Sequence, residues 1–476
     1  MPADTVGGVP PSGVEGGGDG GGAGRATVGA AGLVVRDPLW GTIELDATAR
    51  AVVDSAAFQR LRYIRQLGLA HLVYPGAHHS RFDHALGVYH LIRRAIDGLA
   101  ERGQLDGIEP VERELVPLAG LLHDVGHYPF SHALEELEEP LIPGHHEALT
   151  GRFLEDPDVR RALESVAPDG PARVESLIRG QSRSPLQGLV SGSLDLDKVE
   201  YLKRDARFCG VPYGEVDVDR LLNGLMLLES PAGGREVGVH EKGVAALESL
   251  LFSKYQMFRN VYWHHAVRAG TVLYKRIVQD ALSAELIGPE ELVGKTDEAL
   301  LFLLSERAEI GVASAGSREE ATESAGRVAG LVDALQWRRL PKRAAEVVAA
   351  EVGPREGEWV ALDAPLKRAV EDRLAEELAL PRGSAFLDYP RKPGMFQLDL
   401  LVRRRTGEVL RLGPGGRAGL IGLPRVSDEL YHTARVLRLF TLGTRVRVPA
   451  DRLTALVTRT DAEVRELLGR GGALLS

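Results

Sequence analysis

The sequence predicts a mainly α fold, a helical core followed by a smaller α+β region, and three observations carry that expectation. Apolar residues recur at helical spacing through most of the chain up to about residue 287. Alternating strand-like runs are short and few, and most of them fall late in the chain. The opening, MPADTVGGVPPSGVEGGGDGGGAGRA, is so rich in glycine that it reads as a disordered tail. The expected organisation is a tail over residues 1–30, a helical domain over 31–287 and an α+β region over 288–476.

In chain order, VVRDPLWGTI from Val34 to Ile43 reads as a short strand and turn. Phe58, Leu61, Ile64 and Leu67 repeat at three-residue steps and predict a helix. A loop with Pro75 and Gly76 leads to HHSRFDH. Leu86, Val88, Leu91, Ile92, Ala95 and Leu99 then outline an amphipathic helix that begins near His84. Leu115 to Leu122 forms a second apolar helix with His123-Asp124 at its C-terminal end. Ser131 is the expected N-cap of SHALEELEE. SLDLDKVEYLKRDARF gives another helix, and Val244 to Leu286 a very long one, kinked near Gly270. Strands are expected at EVGVH, at AFLDY, and as a hairpin about Thr406-Gly407 in FQLDLLVRRRTGEVLRL. The small, polar stretch over residues 313–325 reads as a loop.

The composition is that of a soluble globular protein, with 44% hydrophobic and 26% charged residues among 476. No apolar run approaches the roughly 20 residues of a membrane span. The first residues have neither the basic nor the apolar region of a secretory signal. A single cysteine, Cys209, excludes internal disulfides and suits a reducing, cytoplasmic location. The net charge of −9 argues against general nucleic-acid binding. Arg403-Arg404-Arg405 and Arg338-Arg339 read as solvated surface.

The chemistry centres on His123-Asp124 in LLHDVGHYPFSH. An adjacent histidine and aspartate at a helix end can give a nitrogen and an oxygen to one divalent ion, although a lone pair of this kind means little. Here His84 lies upstream and Asp197 downstream, each within a helix-like segment. His84, His123, Asp124 and Asp197 would supply two nitrogens and two oxygens, leaving positions open for water and substrate. A closed structural zinc site would favour cysteines instead. Mn, Fe and Zn all tolerate this mixed set.

HHSRFDHALGV, LLHDVGHYPFSH, HHEAL and LDLDKVEYLKRD together resemble the HD-domain phosphohydrolases, and within them the deoxynucleoside triphosphate triphosphohydrolase branch. DPLWGTIEL and FQRLRYIRQLG fit the same branch. The resemblance is dense over residues 34–285 and implies that the helical core is an HD-domain core. It implies hydrolysis of dNTP substrates to deoxynucleoside and inorganic triphosphate, by attack of metal-activated water at the α-phosphorus, with Mg a possible second ion on the phosphates. Arg81 corresponds to a phosphate-contacting arginine, a role that suits a guanidinium fork. Lys198 and Tyr201 would face the triphosphate and Asp205 the sugar 3′-hydroxyl, on a helix face where Asp197, Tyr201 and Asp205 recur every four residues. Gln66 and Leu67 match residues that judge the sugar, the first by pairing with a 3′-hydroxyl, the second by leaving a 2′-hydroxyl neither room nor partner. Tyr262, with Lys254 and His264, would line the nucleotide pocket.

His127, His132, Glu135 and His146 are the acid and base candidates, because a nucleoside 5′-oxygen leaves poorly until protonated. His132 is the expected proton donor, oriented by Glu135, which stands where the family usually has aspartate. Asp54, Gln59 and Arg62 match residues that hold a guanine nucleotide effector at a subunit interface in this branch, where Leu33 occupies a position often held by lysine. A homo-oligomer, dimer or tetramer, is implied with it. Two other readings stay open: an HD phosphohydrolase for monophosphates, cyclic dinucleotides or guanosine alarmones, and a non-catalytic nucleotide-sensing module.

Overall fold

The computed structural model describes residues 33–137, 141–230, 233–314, 319–353, 357–391, 394–396, 398–417 and 419–476. The glycine-rich stretch over residues 1–30 lies outside the described residues. The fold is mainly helical, with three small sheets among the described residues. Strands Leu33–Asp37 and Gly41–Leu45 form an antiparallel hairpin that enters the core. Behind it, helices Arg81–Glu101, Pro110–Leu122 and Leu196–Cys209 pack around a continuous apolar cluster that includes Leu91, Leu118, Leu121 and Leu202.

The Arg81–Glu101 helix starts three residues before His84 because Ser80 and Asp83 form a capping box, each side chain taking the other's backbone N–H. This puts Arg81 and His84 in adjoining turns with buried side chains. Leu115–Leu122 belongs to a longer helix that starts at Pro110, where proline suits the first turn.

Several segments depart from the sequence expectation. The stretch from Phe58 to Leu67 is not one helix. A short α-helix, Ala56–Gln59, passes into a 3-10 turn, Arg60–Tyr63, and Ile64 is extended. Apolar residues at strict three-residue steps fit the 3-10 period better than the α period. Ser131 caps no α-helix. Only a 3-10 turn, Ser131–Ala133, follows it, and its hydroxyl donates to Arg65 O instead. The stretch Val244 to Leu286 holds two helices, Val244–Met257 and His265–Ser283, separated by a π turn over Phe258–Tyr262. The break falls at Trp263-His264, where His264 caps the second helix, and Gly270 lies inside that helix. The expected loop at 313–325 is largely the end of one helix, Asp297–Ser314, and the start of another, Glu319–Gln336. Its alanine and glutamate favour helix, and Ala325, Val328 and Leu331 give it a buried face.

The hairpin about Gly407 is present as Leu400–Arg403 paired with Val409–Leu412. It extends a four-stranded sheet in which Arg235–His240 pairs parallel with Leu400–Arg403 and antiparallel with Leu225–Glu229. A separate antiparallel sheet has Val436–Thr441 between Lys342–Val348 and Ala385–Asp388. Among the described residues no helix is long and apolar enough to cross a membrane.

A buried ionic network joins these parts: Arg268 donates to Glu136 and Asp388, and Lys275 to Glu136. Burial pushes the Glu136 pKa up, but Arg268 and Lys275 outweigh it and hold the carboxyl well below its ordinary value of 4.5. A depressed folded pKa gives stability that is complete above the unfolded value and lost as pH falls through the folded one. Glu136→Gln is therefore expected to lower Tm at neutral pH, and the gap to the parent should shrink steadily as pH falls below about 4.5. A gap constant with pH in thermal melts would rule the pair out as a source of acid sensitivity.

Candidate active site

His84 lies in the first turns of Arg81–Glu101, His123 closes Pro110–Leu122 with Asp124 next to it, and Asp197 opens Leu196–Cys209. Their polar atoms converge. His84 Nε2 is 3.2 Å from His123 Nε2 and 3.0 Å from Asp197 Oδ1. Asp124 lies 3.3 Å from His123 Nε2 and 3.6 Å from His84 Nε2.

The opposite ring nitrogens are taken by acceptors: His84 Nδ1 by Glu200 at 2.7 Å and His123 Nδ1 by Gly120 O at 2.8 Å. With Nδ1 so engaged, each ring leaves Nε2 to face the cradle, the orientation expected of metal-ligating histidines. Burial pulls the His84 pKa down, yet Asp197 and Glu200 more than compensate and lift it to about 10. A cradle that holds a proton so firmly attracts a divalent cation for the same electrostatic reason. His84, His123 and Asp197 offer ligand atoms within 4.8 Å of one another, a donor set that fits such an ion, and Asp124 stands beside them with one oxygen on Arg81.

Glu200, which the sequence reading missed, supports this cradle. It is fully buried and also accepts from Trp40 Nε1 at 2.8 Å and Arg204 Nε at 2.7 Å, while Arg204 donates to Asp37. The N-terminal hairpin is thus wired to a metal-ligand candidate. Gly87 makes room for Glu200, since a Cβ there would lie 2.1 Å from Glu200 Oε1. Gly87→Ala should displace Glu200 from His84 and weaken metal binding by about 10- to 100-fold, the usual cost of losing a partner behind a ligand. Metal titration followed by elemental analysis would check this, and unaltered affinity would count against the supporting role.

Arg81 is buried beside the cradle. Its guanidinium donates to Asp124 at 2.5 Å and to Ser131 Oγ at 3.0 Å, while its remaining Nη2 has no protein partner. A buried guanidinium nitrogen left open faces a ready place for an anionic oxygen. Gln66 is similar: its Oε1 is buried without a partner, and its backbone N–H donates to His79 O. Leu67 beside it is half-buried.

A second cluster adjoins the first. Glu135 accepts from His132 Nδ1 at 2.7 Å and from His146 Nδ1 at 2.5 Å, so one carboxylate holds two imidazoles. Burial raises the Glu135 pKa, but His132 and His146 bring it well below the ordinary range. His127 stacks on His146, with centroids 3.8 Å apart and planes 16° apart. Burial, Arg81 and His146 push the His127 pKa well down, so its ring is neutral. Although the four side chains offer ligand atoms within 4.8 Å of one another, the stacked rings have parallel in-plane lone pairs that cannot meet on one ion. This cluster suits proton handling.

Elsewhere on the Leu196–Cys209 helix, Asp205 accepts from His79 Nε2 at 2.8 Å and Tyr262 OH at 2.6 Å. His79, another residue the sequence reading passed over, lies inside the quoted HHSRFDH motif. Tyr201 is half-buried, and Lys198 donates to Asp195 and Gly192 O. Gln59 accepts from Arg62, whose guanidinium lies over the Phe82 ring, while Asp54 pairs with Arg50. These last residues form an exposed stretch apart from the two clusters.

Residues 81–186 match the HD domain, and residues 216–414 match the HD-associated region. This is an HD-domain protein. The first cluster combines helices from within the matched HD domain with Asp197, which lies between the two matched regions. The chain is 35% identical over 272 residues to an uncharacterised protein of Methanocaldococcus jannaschii, a match covering 57% of this chain and 54% of that one. It is 28% identical over 284 residues to the deoxynucleoside triphosphate triphosphohydrolase SAMHD1 of Bos taurus, covering 53% of this chain and 47% of the relative. The chain thus spans about half the length of these curated relatives. A crystal structure of a hypothetical protein from Aquifex aeolicus superposes with a TM-score of 0.62 at 26% identity, covering 94% of this HD-domain protein and 100% of that chain.

Proposed function

We propose that the protein is a metal-dependent phosphohydrolase that cleaves deoxynucleoside triphosphates to deoxynucleoside and inorganic triphosphate. The observation that carries this reading is the buried, unpartnered Nη2 of Arg81, whose Nη1 donates to Asp124 of the His/Asp cradle. An open guanidinium nitrogen beside Asp124 supports a phosphate held next to a bound cation. The similarity to SAMHD1 supports the choice of dNTP. A divalent cation held by His84, His123, Asp124 and Asp197 would polarise phosphate oxygens and lower the pKa of a coordinated water. Arg81 holds the α-phosphate near it. His132, with Nδ1 bound to Glu135, presents Nε2 outward and gives its proton to the departing 5′-oxygen. His127 and His146 line the phosphates. Lys198 and Tyr201 serve the distal phosphates, and Asp205 with Tyr262 the 3′-hydroxyl.

Gln66 and Leu67 select deoxyribose. The free Gln66 Oε1 is an acceptor for a 3′-hydroxyl, and the Leu67 side chain gives a 2′-hydroxyl nothing to bond. An unpaired buried hydroxyl costs on the order of 1–3 kcal/mol, so Leu67→Ser should narrow the preference for dNTP over NTP by about tenfold. Paired measurements of kcat/KM for one base as deoxy- and ribonucleotide decide this, and an unmoved ratio would remove Leu67 from sugar selection.

A guanine nucleotide effector at Asp54, Gln59 and Arg62, assembly into a homo-oligomer and a cytoplasmic location belong to the same reading. The deciding experiment incubates the protein with Mn²⁺ or Mg²⁺ and each dNTP or NTP in turn. Inorganic triphosphate with a deoxynucleoside is the expected product pair. Pyrophosphate, or activity only on monophosphates or cyclic dinucleotides, would redirect the substrate. No product from any nucleotide would leave a sensing role.

A further inference from the structure

We propose that Asp297 is a positioning residue that ties the loop carrying Gln66 to the loop carrying His132, and so aligns sugar recognition with proton donation. The inference rests on the hydrolytic reading above.

Asp297 is the first residue of the Asp297–Ser314 helix and is fully buried. It lies in the HD-associated region, far along the chain from both loops. One carboxylate oxygen, Oδ1, accepts the Phe130 N–H at 2.6 Å. The other, Oδ2, accepts the Arg65 N–H at 3.0 Å and the Arg65 guanidinium at 3.1 Å. Arg65 directly precedes Gln66 and Leu67, and Phe130 lies two residues before His132.

The loops it joins are held in conformations that need such a restraint. Phe130 and Ser131 both have left-handed backbones, with φ of 56° and 58°. Neither is glycine, so each is strained there unless its surroundings fix it. The two loops also touch backbone to backbone: a Cβ on Gly68 would lie 2.7 Å from Phe130 O. Ser131 Oγ donates to Arg65 O at 2.6 Å and accepts from Arg81 Nε at 3.0 Å, which brings the phosphate-seeking arginine into the same linkage. Arg60 completes it from the opposite polarity, donating to Val125 O at 2.5 Å, His127 O at 3.0 Å and Lys295 O at 3.1 Å. An acidic and a basic side chain thus fasten the segment between Asp124 and His132, the first by the Phe130 amide and the second by the Val125 and His127 carbonyls. The ligand candidates His84, His123, Asp124 and Asp197 make no contact with Asp297 among these bonds.

Asp297→Asn is a sharp test, because asparagine must turn an NH2 donor toward either the Phe130 N–H or the two Arg65 donors. In the full-length, Mn²⁺-loaded protein it should lower kcat by about a hundredfold, the scale of a 1 Å misplacement of reacting groups, with bound metal per chain unchanged. In a His132→Ala background the same substitution should cost less than about threefold, since the group being positioned is already gone. A merely structural residue would cost the same factor in both backgrounds, and that result overturns the proposal. Hydrogen exchange supplies a readout independent of turnover. Peptides spanning residues 64–70 and 128–134 should lose protection together in the variant, while the Pro110–Leu122 helix keeps its own. Unchanged exchange in both peptides also overturns the linkage, even if the parent hydrolyses no nucleotide, an outcome that would strike only the substrate reading. Asp297→Ser, which retains a short acceptor at the helix start, takes the same measurements if the asparagine variant does not fold.

Discussion

Asp197→Ala is expected to abolish stoichiometric metal binding and to lower turnover by about a thousandfold, equivalent to roughly 4 kcal/mol of transition-state stabilisation. Asp197 Oδ1 reaches both imidazoles at once, at 3.0 Å from His84 Nε2 and 3.5 Å from His123 Nε2. Without it, two imidazole Nε2 atoms 3.2 Å apart keep Asp124 as the remaining acid, and Asp124 is already engaged by Arg81. Metal content measured after dialysis and kcat with added Mn²⁺ are the two readings. A variant that keeps both would remove Asp197 from the cradle, whereas one that loses metal but regains rate at high Mn²⁺ would assign it to affinity alone.

His132→Ala should give the second large effect, a fall in kcat within about 10²- to 10⁴-fold with metal content intact, as expected for loss of a general acid. The geometry gives His132 no part in the first cluster: its Nδ1 is bonded to Glu135, and its side chain is 64% exposed. Glu135→Gln should act in the same direction but less strongly, because the amide can still accept a hydrogen bond while losing the charge that stabilises an imidazolium. Burial alone would raise the Glu135 pKa, and the paired histidines reverse that, so the carboxylate stays ionised at neutral pH. Substrates with a better leaving group than a nucleoside 5′-oxygen should be less sensitive to the histidine substitution. Equal sensitivity for good and poor leaving groups would argue that His132 acts on binding instead of proton transfer.

Much of the first cluster was legible because its members sit in short, local motifs at helix ends. His84, His123-Asp124 and Asp197 each announce themselves within a few residues of an apolar helix, and convergence of those helices does the rest. The support behind them was not legible. His84 meets Glu200 and Trp40 meets Glu200 only through tertiary packing, the partners being 116 and 160 positions apart in the sequence. No local spacing links Asp297 to Phe130 or Arg65 either. Helix limits failed where a polar group was reassigned: Ser131 looked like a cap, but its hydroxyl is drawn to Arg65 O. The break at Trp263-His264 was hidden because π and α turns share similar apolar spacing over a few residues. Short buried strands such as Leu225–Glu229 and Val436–Thr441 carry too little alternation to be told from buried helix.

The parallel pairing of Gly238, Val239 and His240 with Leu401, Val402 and Arg403 bears on how the protein can be handled. An excised fragment stopping near residue 287 would leave Arg235–His240 with one flank of amides and carbonyls bare. It would also strip Met395, Phe396 and Leu398 from the apolar interior they complete. Such an edge recruits a neighbour's strand, so a shortened version should self-associate into aggregates while the intact chain remains dispersed.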